Sequence, residues 1–282
     1  MSLTVTRADG LVTLQDRGRH GYAHLGVPAA GALDRPAAAL ANRLVGNTDD
    51  EAVIETTLLG VAFTTDRALT FSVTGAHASI QASGRARPHG EPVTVPAGAT
   101  VEIGPASEGV RTYVAVAGGI AVAPVLGSRS TDTLAWLGPP RVVAGTVLPV
   151  GPAGRPRPVD APAASRLRTT IRLTLGPRAD WFTDEGVRAL TRTAYVVGPA
   201  ANRIGLRLRG RGLTRRRTDE LASEGMVAGA IQVPPDGQPV VLLRDHPTTG
   251  GYPVIGVVVE EDLAHCAQLR PGDEVRFTTS QG

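Results

Sequence analysis

Short segments in which apolar and polar residues alternate dominate the first half of the chain. They follow one another between residues 52 and 120, separated by glycine-containing turns, at Val53–Thr57, Val61–Thr64, Leu69–Thr74, Ala78–Ala82, Pro92–Val95, Thr100–Ile103 and Arg111–Val116. A similar segment over residues 3–14 predicts an opening strand, because side chains of a β-strand alternate between its two faces. Many short strands of this kind are typical of a closed barrel or a sandwich. The first half is therefore predicted to be a β-barrel or a β-sandwich.

One segment of the first half has helical periodicity instead. Asp34 is a good N-cap, Pro36 lies in the first turn, where its missing N–H is tolerated, and Gly46 suits the position after the helix end. One apolar face is expected, formed by Leu40, Ala41, Leu44 and Val45. Asn42 is a poor interior helix former, so it is expected either to satisfy a neighbouring backbone group or to contact a ligand.

The second half repeats the strand pattern. Strands are predicted at Arg168–Leu175, Thr193–Val197, Arg203–Leu208, Pro239–Leu243, Val254–Val259 and in a last segment through Phe277. Helices are predicted at Asp180–Leu190 and Asp262–Leu269. Residues 139–166 are rich in proline, glycine and alanine, which indicates a domain boundary. We therefore expect a mainly β fold with a few short helices, organised as two domains, 1–158 and 159–282.

The chain contains no lysine, so all 29 basic residues are arginine. This excludes a Schiff base, a biotinylated lysine and a P-loop of the GxxxxGK[ST] type. If ATP or biotin takes part in a reaction, another chain must supply the usual lysine. The formal net charge is only +3, and no aromatic residues interleave with the densest basic run, formed by Arg207, Arg209, Arg211 and Arg215–Arg217. This run is therefore interpreted as a solvated loop or a contact between subunits, and nucleic acid is not expected as a partner.

Cys266 is the only cysteine, so no intramolecular disulfide can form. This fits a reducing compartment, and a cytoplasmic protein is expected. Cys266 follows His265 directly, and adjacent residues of a helix do not face each other, so Cys266 is predicted to be a small core residue. No apolar run reaches 18 residues and no signal peptide is recognised, so no membrane partner is expected.

Polar groups concentrate in three stretches. The loop over residues 16–34 contains His20 and His24 but no periodicity, and long irregular loops are often functional. The segment Leu126–Gly138 contains serine, threonine, Arg129 and aspartate, and it is interpreted either as an anion site or as a turn that caps a short helix. The stretch Glu224–Tyr252 joins strand-like runs through loops with hydroxyls, a carboxylate and a histidine. Its two interpretations are a ligand site and a β-hairpin with polar loops.

Glu55 lies among apolar residues of a predicted strand, so its carboxylate needs a partner. Arg43, on the predicted helix, is the expected partner. His20 and His24 lie in a glycine-rich loop rather than on a helix, so their spacing gives no metal-ligand geometry. No metal site is predicted.

Three long segments together resemble the family of the 5-oxoprolinase C subunit, also called the KipA or allophanate hydrolase subunit 2 family. They are Gly21–Asn47 (GYAHLGVPAAGALDRPAAALANRLVGN), Val116–Gly138 (VAGGIAVAPVLGSRSTDTLAWLG) and Ser223–Val258 (SEGMVAGAIQVPPDGQPVVLLRDHPTTGGYPVIGVV), which LRPGD follows. The resemblance implies a cyclophilin-like β-barrel in each half. It also implies a hydrolase subunit that acts on a cyclic amide only as part of a complex.

The resemblance implies two partners for this chain, a KipI-like B subunit and an A subunit. Together they would catalyse the ATP-dependent opening of 5-oxo-L-proline to L-glutamate. The complex uses ATP, and this chain alone is expected to bind no cofactor. One alternative is a carboxyltransferase subunit of the allophanate hydrolase or urea carboxylase type, which would need a separate biotin carrier. The other alternative is a regulatory subunit that binds a histidine-kinase inhibitor.

Residue chemistry within the resembling segments gives the candidate site. The predicted catalytic residues are Asp245, His24 and Asp34, and Asp245 or His24 is the predicted acid or base. The predicted substrate-binding residues are Asn42, Arg129, Asn202, Arg203, Gln232, Thr248, Thr249, Gly250, Gly251 and Tyr252. Two departures from the family pattern affect this choice. His20 stands where the family more often has proline, and Ala201 replaces a serine beside Asn202 and Arg203.

Overall fold

The computed structural model describes residues 1–154 and 167–280, and these form two compact units. Within the described ranges, one unit consists of residues 1–19 and 30–154, and the other of residues 20–29 and 167–280. The segment His20–Ala29 thus belongs to the second unit, although it precedes most of the first along the chain. The predicted boundary between residues 158 and 159 lies outside the described residues.

The first unit is built on one large sheet beside a helix. Its elements are β1 (Ser2–Ala8), β2 (Leu11–Gln15), α1 (Arg35–Leu44), β3 (Val53–Thr57), β4 (Val61–Thr65), β5 (Leu69–Ala82), β6 (Arg85–Ala86), β7 (Val93–Val95), β8 (Thr100–Val116) and β9 (Val147–Pro149). The sheet order is β2-β3-β8-β4-β1-β9, and β5 pairs with β6, β7 and β8. Alternate side chains of these strands form one apolar core, in which Phe63 meets the ring of Phe71 edge to face at 6.1 Å.

Two pairs of predicted strands are merged in the structure. β5 combines the predicted strands Leu69–Thr74 and Ala78–Ala82, and β8 combines Thr100–Ile103 and Arg111–Val116. β5 and β8 pair along most of their length, with register shifts between Gly75 and Ile80. At Gly75 φ is +80°, and an added Cβ would overlap the carbonyl oxygen of Arg111. A bulge that contains glycine bends a strand without ending its pairing. The predicted strand residues are therefore confirmed, but their division into separate strands is wrong.

Helix α1 begins as predicted. Asp34 is the N-cap, and its carboxylate accepts a hydrogen bond from the N–H of Ala37 at 3.0 Å. Gly46 follows the helix end with φ of +80°. The buried face differs from the predicted one, because Ala37, Ala38, Ala41 and Val45 are buried while Leu40 and Leu44 are half-buried. Small side chains bring the helix backbone close to the sheet.

Over residues 167–280, the second unit is a closed barrel of seven strands with two short helices. Its elements are β10 (Thr170–Leu175), α2 (Asp184–Arg192), β11 (Ala194–Val197), β12 (Gly205–Gly210), β13 (Glu224–Gly225), β14 (Ala230–Gln232), β15 (Val240–Leu242), β16 (Thr249–Gly250), β17 (Val254–Val258), α3 (Leu263–Gln268) and β18 (Glu274–Thr279). The barrel order is β10-β17-β14-β15-β12-β11-β18, closed by parallel pairing of β10 with β18. Closure removes the free sheet edges. The predicted fold class, mainly β with barrel-type domains and few helices, is confirmed.

Helix α2 begins later than predicted. Residues Ala179–Trp181 form a separate 3-10 turn, and Thr183 then caps α2 by accepting a hydrogen bond from the N–H of Gly186 at 3.0 Å. Asp184 and Glu185 follow in the first turn, where acidic residues are favoured by the helix dipole. Threonine is a stronger N-cap than the residues before Asp180, so the local cap decides the start.

The predicted helix at residues 262–269 is also divided, into a 3-10 turn at Glu260–Asp262 and α3. Cys266 on α3 is buried, and burial raises the pKa of its thiol to about 12. Its prediction as a core residue is confirmed. None of the helices in the described ranges is long and apolar enough to cross a bilayer.

The ion-pair partner of Glu55 is Arg111 on β8, so the prediction of Arg43 is wrong. Glu55 Oε1 lies 3.7 Å from Arg111 Nε, and both side chains are buried. Glu55 Oε2 also accepts a hydrogen bond from the N–H of Leu33 at 3.2 Å. Arg43 pairs instead with the exposed Asp49 at 3.0 Å. β3 and β8 are neighbours in the sheet, which brings the buried pair together across the strands.

Replacing Glu55 with alanine is expected to lower the free energy of unfolding by about 3–5 kcal/mol, because a buried ion pair loses one partner. Replacing Asp49 with alanine is expected to cost less than about 1 kcal/mol, because the Arg43–Asp49 pair is exposed. Urea unfolding followed by circular dichroism measures both. Equal losses in the two variants would contradict the assignment of Arg111 as the partner.

Candidate functional site

The loop of residues 244–252, called here the 244–252 loop, follows the end of β15 in the second unit. Its start is tied to the turn that precedes β12. The N–H of Leu243 donates to the carbonyl of Ile204 at 2.9 Å, and the N–H of Asp245 donates to the carbonyl of Arg203 at 3.2 Å. Two adjacent barrel strands thus fix where this loop begins.

A buried ion pair reinforces this connection. Arg203 donates from Nε to Asp245 Oδ2 at 2.8 Å and from Nη2 to Oδ1 at 2.9 Å, and both side chains are fully buried. Asn202 shapes the preceding turn, because its side-chain oxygen accepts from the N–H groups of Ile204 and Gly205. The two-point geometry fixes the carboxylate of Asp245 in one orientation.

The far end of the 244–252 loop is held by a two-stranded ribbon. β16 pairs with β13, so that Gly250 lies opposite Glu224 and Thr249 opposite Gly225. The carbonyl of Thr248 accepts from the N–H of Met226 at 2.9 Å. Both ends of the loop are therefore fixed by hydrogen bonds, which orders the hydroxyls and N–H groups between them.

Gln232, on β14, contacts Gly250 and Tyr252 of the loop. Gln232 Nε2 donates to the carbonyl of Tyr252 at 3.3 Å. A Cβ added at Gly250 would lie 2.5 Å from the same nitrogen, so only glycine fits there without a shift of Gln232. The predicted residues Gln232, Gly250 and Tyr252 are thus brought together by the fold.

The accessible part of the loop is polar and uncharged. Thr249 and Gly251 are exposed, Thr248 is half-buried, and Tyr252 is 46% exposed. Hydroxyls and backbone N–H groups of this kind can bind a carbonyl oxygen or a carboxylate. Asp245, by contrast, is held by Arg203 inside the barrel wall. Its catalytic role stays a prediction, and its geometry suits a positioning role.

His246 was not among the predicted site residues, although the sequence places it in the same loop. Its Nδ1 lies 2.8 Å from the carbonyl oxygen of Pro247, which can only accept, so Nδ1 carries the proton of the neutral ring. Burial lowers the pKa of His246, and the hydrogen bond to Pro247 opposes this only in part. His246 is therefore neutral near pH 7, and its Nε2 is an acceptor.

His24, one of the three predicted catalytic residues, is exposed in a 3-10 turn at Ala23–Leu25. It is the only one of the three with an exposed side chain. Among the described residues, no group of three or more His, Cys, Asp or Glu side chains could hold a metal ion.

Asp34, in the first unit, has a structural task at the start of α1. Besides capping the helix, it donates from its backbone N–H to the hydroxyl of Tyr113 at 2.8 Å. Burial raises the pKa of Tyr113 well above its usual value, and the charges of Glu55 and Asp34 add to this. Tyr113 is therefore a neutral phenol. The catalytic role of Asp34 stays a prediction.

Asn42 is buried inside α1 and has protein partners. Its Nδ2 donates to the carbonyl of Glu51 at 2.8 Å, and its Oδ1 accepts from Asn47 Nδ2 at 2.9 Å. Asn47 in turn accepts from the N–H of Gly118 at 2.8 Å. Of the two interpretations of Asn42, these contacts favour the satisfaction of neighbouring groups, and its role in substrate binding stays a prediction.

The polar segment Leu126–Gly138 surrounds a carboxylate of the chain itself. Asp16 Oδ1 accepts from the hydroxyls of Ser128 and Ser130 at 2.6 Å each, and Oδ2 accepts from the backbone N–H of Arg129 at 2.5 Å. The guanidinium of Arg129 donates from Nε to the carbonyl of Val122 at 2.7 Å. The segment is thus ordered around an internal carboxylate, and the role of Arg129 in binding an anionic substrate stays a prediction. No helix follows the segment in the described part of the first unit, so the alternative of a helix cap is wrong.

A family model described as "Carboxyltransferase domain, subdomain A and B" matches residues 25–279. The chain is 38% identical over 282 residues to the 5-oxoprolinase C subunit of Escherichia coli (strain K12), covering 98% of this chain and 90% of that one. A crystal structure of TTHA0988 superposes with a TM-score of 0.89 at 38% identity, covering 98% of this chain and 55% of that chain. The crystal structure of the K. lactis urea amidolyase gives a TM-score of 0.93 at 28% identity, covering 99% of this chain and 19% of that chain. The chain thus spans about half of TTHA0988 and about a fifth of the urea amidolyase.

Replacing Asp245 with alanine is expected to lower the free energy of unfolding by about 3–5 kcal/mol, because Arg203 stays buried when its ion-pair partner is removed. Replacing both residues with apolar ones of similar size, as in Arg203→Met with Asp245→Leu, is expected to recover most of this loss. Urea unfolding of the wild type, of Asp245→Ala and of the double variant measures the three free energies of unfolding. If the double variant is as unstable as the single one, the loss does not come from the buried charge.

Protonation of His246 is expected to make stability depend on pH. The folded pKa lies below the ordinary value of 6.5, so the unfolded state binds more protons as the pH falls through this range. The contribution of the neutral His246 to the free energy of unfolding is therefore fully present above about pH 6.5 and is lost as the pH falls below this value. His246→Gln is expected to reduce, without abolishing, the loss between about pH 7.5 and about pH 5.5, because burial lowers the pKa values of His89 and His265 as well. Urea midpoints at the two pH values measure this, and an unchanged loss would contradict it.

Proposed function

Because the chain belongs to the carboxyltransferase domain family, subdomains A and B, we propose that it is the C subunit of an ATP-dependent 5-oxoprolinase. The observation that carries this proposal is the extent of the match to the E. coli protein of that name. It covers 98% of this chain and 90% of the relative, whereas the urea amidolyase contains the matching region as 19% of a much longer chain.

The proposed reaction opens the lactam ring of 5-oxo-L-proline. The amide oxygen accepts a phosphoryl group from ATP, water attacks the activated carbon, and the ring C–N bond breaks with transfer of a proton to nitrogen. Loss of phosphate, with a second water, gives L-glutamate, ADP and phosphate. Such chemistry needs a site that binds a carboxylate, orients the lactam carbonyl and stabilises its developing charge.

The 244–252 loop offers groups for the last two tasks. Thr248 and Thr249 supply hydroxyls, and the Gly250–Gly251 backbone can approach a ligand closely. The neutral His246 offers an acceptor for a proton, and Asp245 with Arg203 positions the loop without entering the reaction. His24, whose side chain is exposed, is a further candidate for proton transfer.

ATP use is assigned to partner chains. The sequence has no lysine and therefore no P-loop lysine, so we place phosphate activation on a KipI-like B subunit together with an A subunit. This chain then contributes binding and orientation of the lactam. The lone buried Cys266 supports a reducing cytoplasmic setting.

A second candidate function is carboxyl transfer of the urea amidolyase type, which the TM-score of 0.93 to the K. lactis urea amidolyase favours. This reaction would use a biotin carried by another chain, since a chain without lysine cannot be biotinylated. The same loop would then hold the carbonyl oxygen of the carboxyl acceptor.

The decisive assay is 5-oxoproline-dependent ATP hydrolysis, with this chain added to or omitted from the purified A and B subunits. Turnover is expected only when the chain is present. Thr249→Val removes one accessible hydroxyl at nearly constant volume and is expected to lower turnover about tenfold, the effect of one lost hydrogen bond. Thr278→Val, at an exposed position of β18, is the matched control and is expected to leave turnover unchanged.

A stable complex with the B subunit that shows no turnover would contradict the oxoprolinase role. It would direct attention to carboxyl transfer, tested with a biotinylated carrier, or to regulation. Equal loss of turnover in both threonine variants would remove Thr249 from the site.

A further inference from the structure

A cleft of about 480 Å³ opens in the second unit, between part of the basic run and the turn before β15. Two segments line it: Gly212–Arg215 with Thr218, after β12, and Pro235–Gly237, between β14 and β15. The N–H of Leu213 donates to the carbonyl of Gly237 at 2.9 Å and joins these segments. At Gly237 φ is +74°, and a Cβ would lie 3.2 Å from Leu213 N, so the close approach depends on glycine. We call this space the Arg215 cleft.

The arginines around the cleft are not equivalent. Arg211 pairs with Glu185 at 3.1 Å, Arg216 with Asp184 at 2.7 Å, and Arg217 with Asp219 at 3.4 Å. Arg217 also stacks over the ring of Trp181 at 4.7 Å. These arginines each have a carboxylate partner, as expected for a solvated basic loop.

Arg215 differs from its neighbours. Its Nη2 donates to the backbone carbonyl of Val233, and its Nε is buried with no hydrogen-bond partner among the described residues. Within residues 1–154 and 167–280 it forms no ion pair. A half-buried guanidinium with an unused donor and no ion pair is costly, and such groups usually meet an anion or water.

The surroundings of Arg215 define the ligand further. Thr214 and Thr218 add hydroxyls to the cleft. Asp236 also lines it, and its Oδ1 accepts from the N–H of Gln238 at 3.0 Å. Burial lowers the pKa of Arg215, while the nearby Tyr252 and Asp236 oppose this. A carboxylate at Asp236 disfavours a second negative charge on the ligand and suits an N–H donor.

We propose that the Arg215 cleft binds a small organic acid with a single carboxylate, held by the guanidinium of Arg215 and by the hydroxyls of Thr214 and Thr218. The acid also presents an N–H group toward Asp236. Its identification as 5-oxo-L-proline, which carries one carboxylate and one lactam N–H, rests on the proposed function. Tyr252, a residue of the 244–252 loop, lies near Arg215 and so places the cleft beside that loop.

The test compares two ligands that differ only in the carboxylate, 5-oxo-L-proline and 2-pyrrolidinone. Isothermal titration of the full chain is expected to show binding of the acid and at least tenfold weaker binding of the neutral lactam. Arg215→Gln is expected to weaken binding of the acid about 10- to 100-fold, the effect of a lost charge-assisted pair. Arg216→Gln, which removes a neighbouring arginine that already has a partner, is expected to change it less than about twofold.

A measurement on the wild-type chain covers the case in which Arg215→Gln fails to fold. In ¹⁵N-resolved NMR, the Nε–H signal of Arg215 is expected to shift with 5-oxo-L-proline and not with 2-pyrrolidinone. No binding of the acid at millimolar concentration, equal binding of both ligands, or an Arg215 signal that does not respond would each overturn the inference.

Failure of the inference and failure of the proposed function are distinguishable. If the reconstituted complex turns over 5-oxo-L-proline and Arg215→Gln leaves KM unchanged, the cleft is not the carboxylate site although the function stands. If the complex does not turn over 5-oxo-L-proline, but the chain binds it or acetate through Arg215, the carboxylate site stands and the oxoprolinase role fails.

Discussion

The ion pair of Arg203 with Asp245 is the interaction on which the candidate site of the second unit depends. It joins the turn before β12 to the start of the 244–252 loop, and both charges are removed from water. Such a pair contributes little net stability compared with apolar residues, but its two-point geometry allows one arrangement only. With the β13–β16 ribbon at the other end, the loop is fixed at both ends. The candidate site groups between these ends are therefore held on the barrel wall.

In the first unit, a carboxylate also orders a loop, at Asp16. There a carboxylate gathers the hydroxyls of Ser128 and Ser130 and the N–H of Arg129, and so organises a long irregular segment that no strand would hold. Charge-assisted hydrogen bonds are about twice as strong as neutral ones, which explains why one carboxylate is enough. In each unit, a polar stretch that resembles a ligand site in the sequence is first of all a loop ordered by an aspartate.

Sequence reasoning succeeded where the determining forces are local. The strand at Val53–Thr57 and the start of α1 at Asp34 follow from side-chain alternation and from an N-cap, both encoded within a few residues. It failed where distant residues decide. Glu55 meets Arg111 because β3 and β8 are neighbours in the sheet, an order that no local pattern reveals. Gly75 looks like a turn in the sequence, but pairing with β8 makes it a bulge.

The same limit applies to the candidate site. Arg215, Arg216 and Arg217 are identical in type and adjacent in the sequence, so only the fold separates them. Two of them project to partners at the surface, and one lies partly inside with a donor that no described residue accepts. The fold also distinguishes Asp245 from His246. The carboxylate of Asp245 is buried in an ion pair with Arg203, whereas the neutral imidazole of His246 keeps Nε2 as a hydrogen-bond acceptor. The accessible part of the loop is uncharged and lies near Arg215, which forms no ion pair within the described residues. This arrangement is suited to hold and orient an acid with a carbonyl group, and it offers no strong nucleophile of its own. Under the proposed function, such a chain needs a partner to activate the carbonyl, and for this reason we expect its chemistry to appear only within a complex.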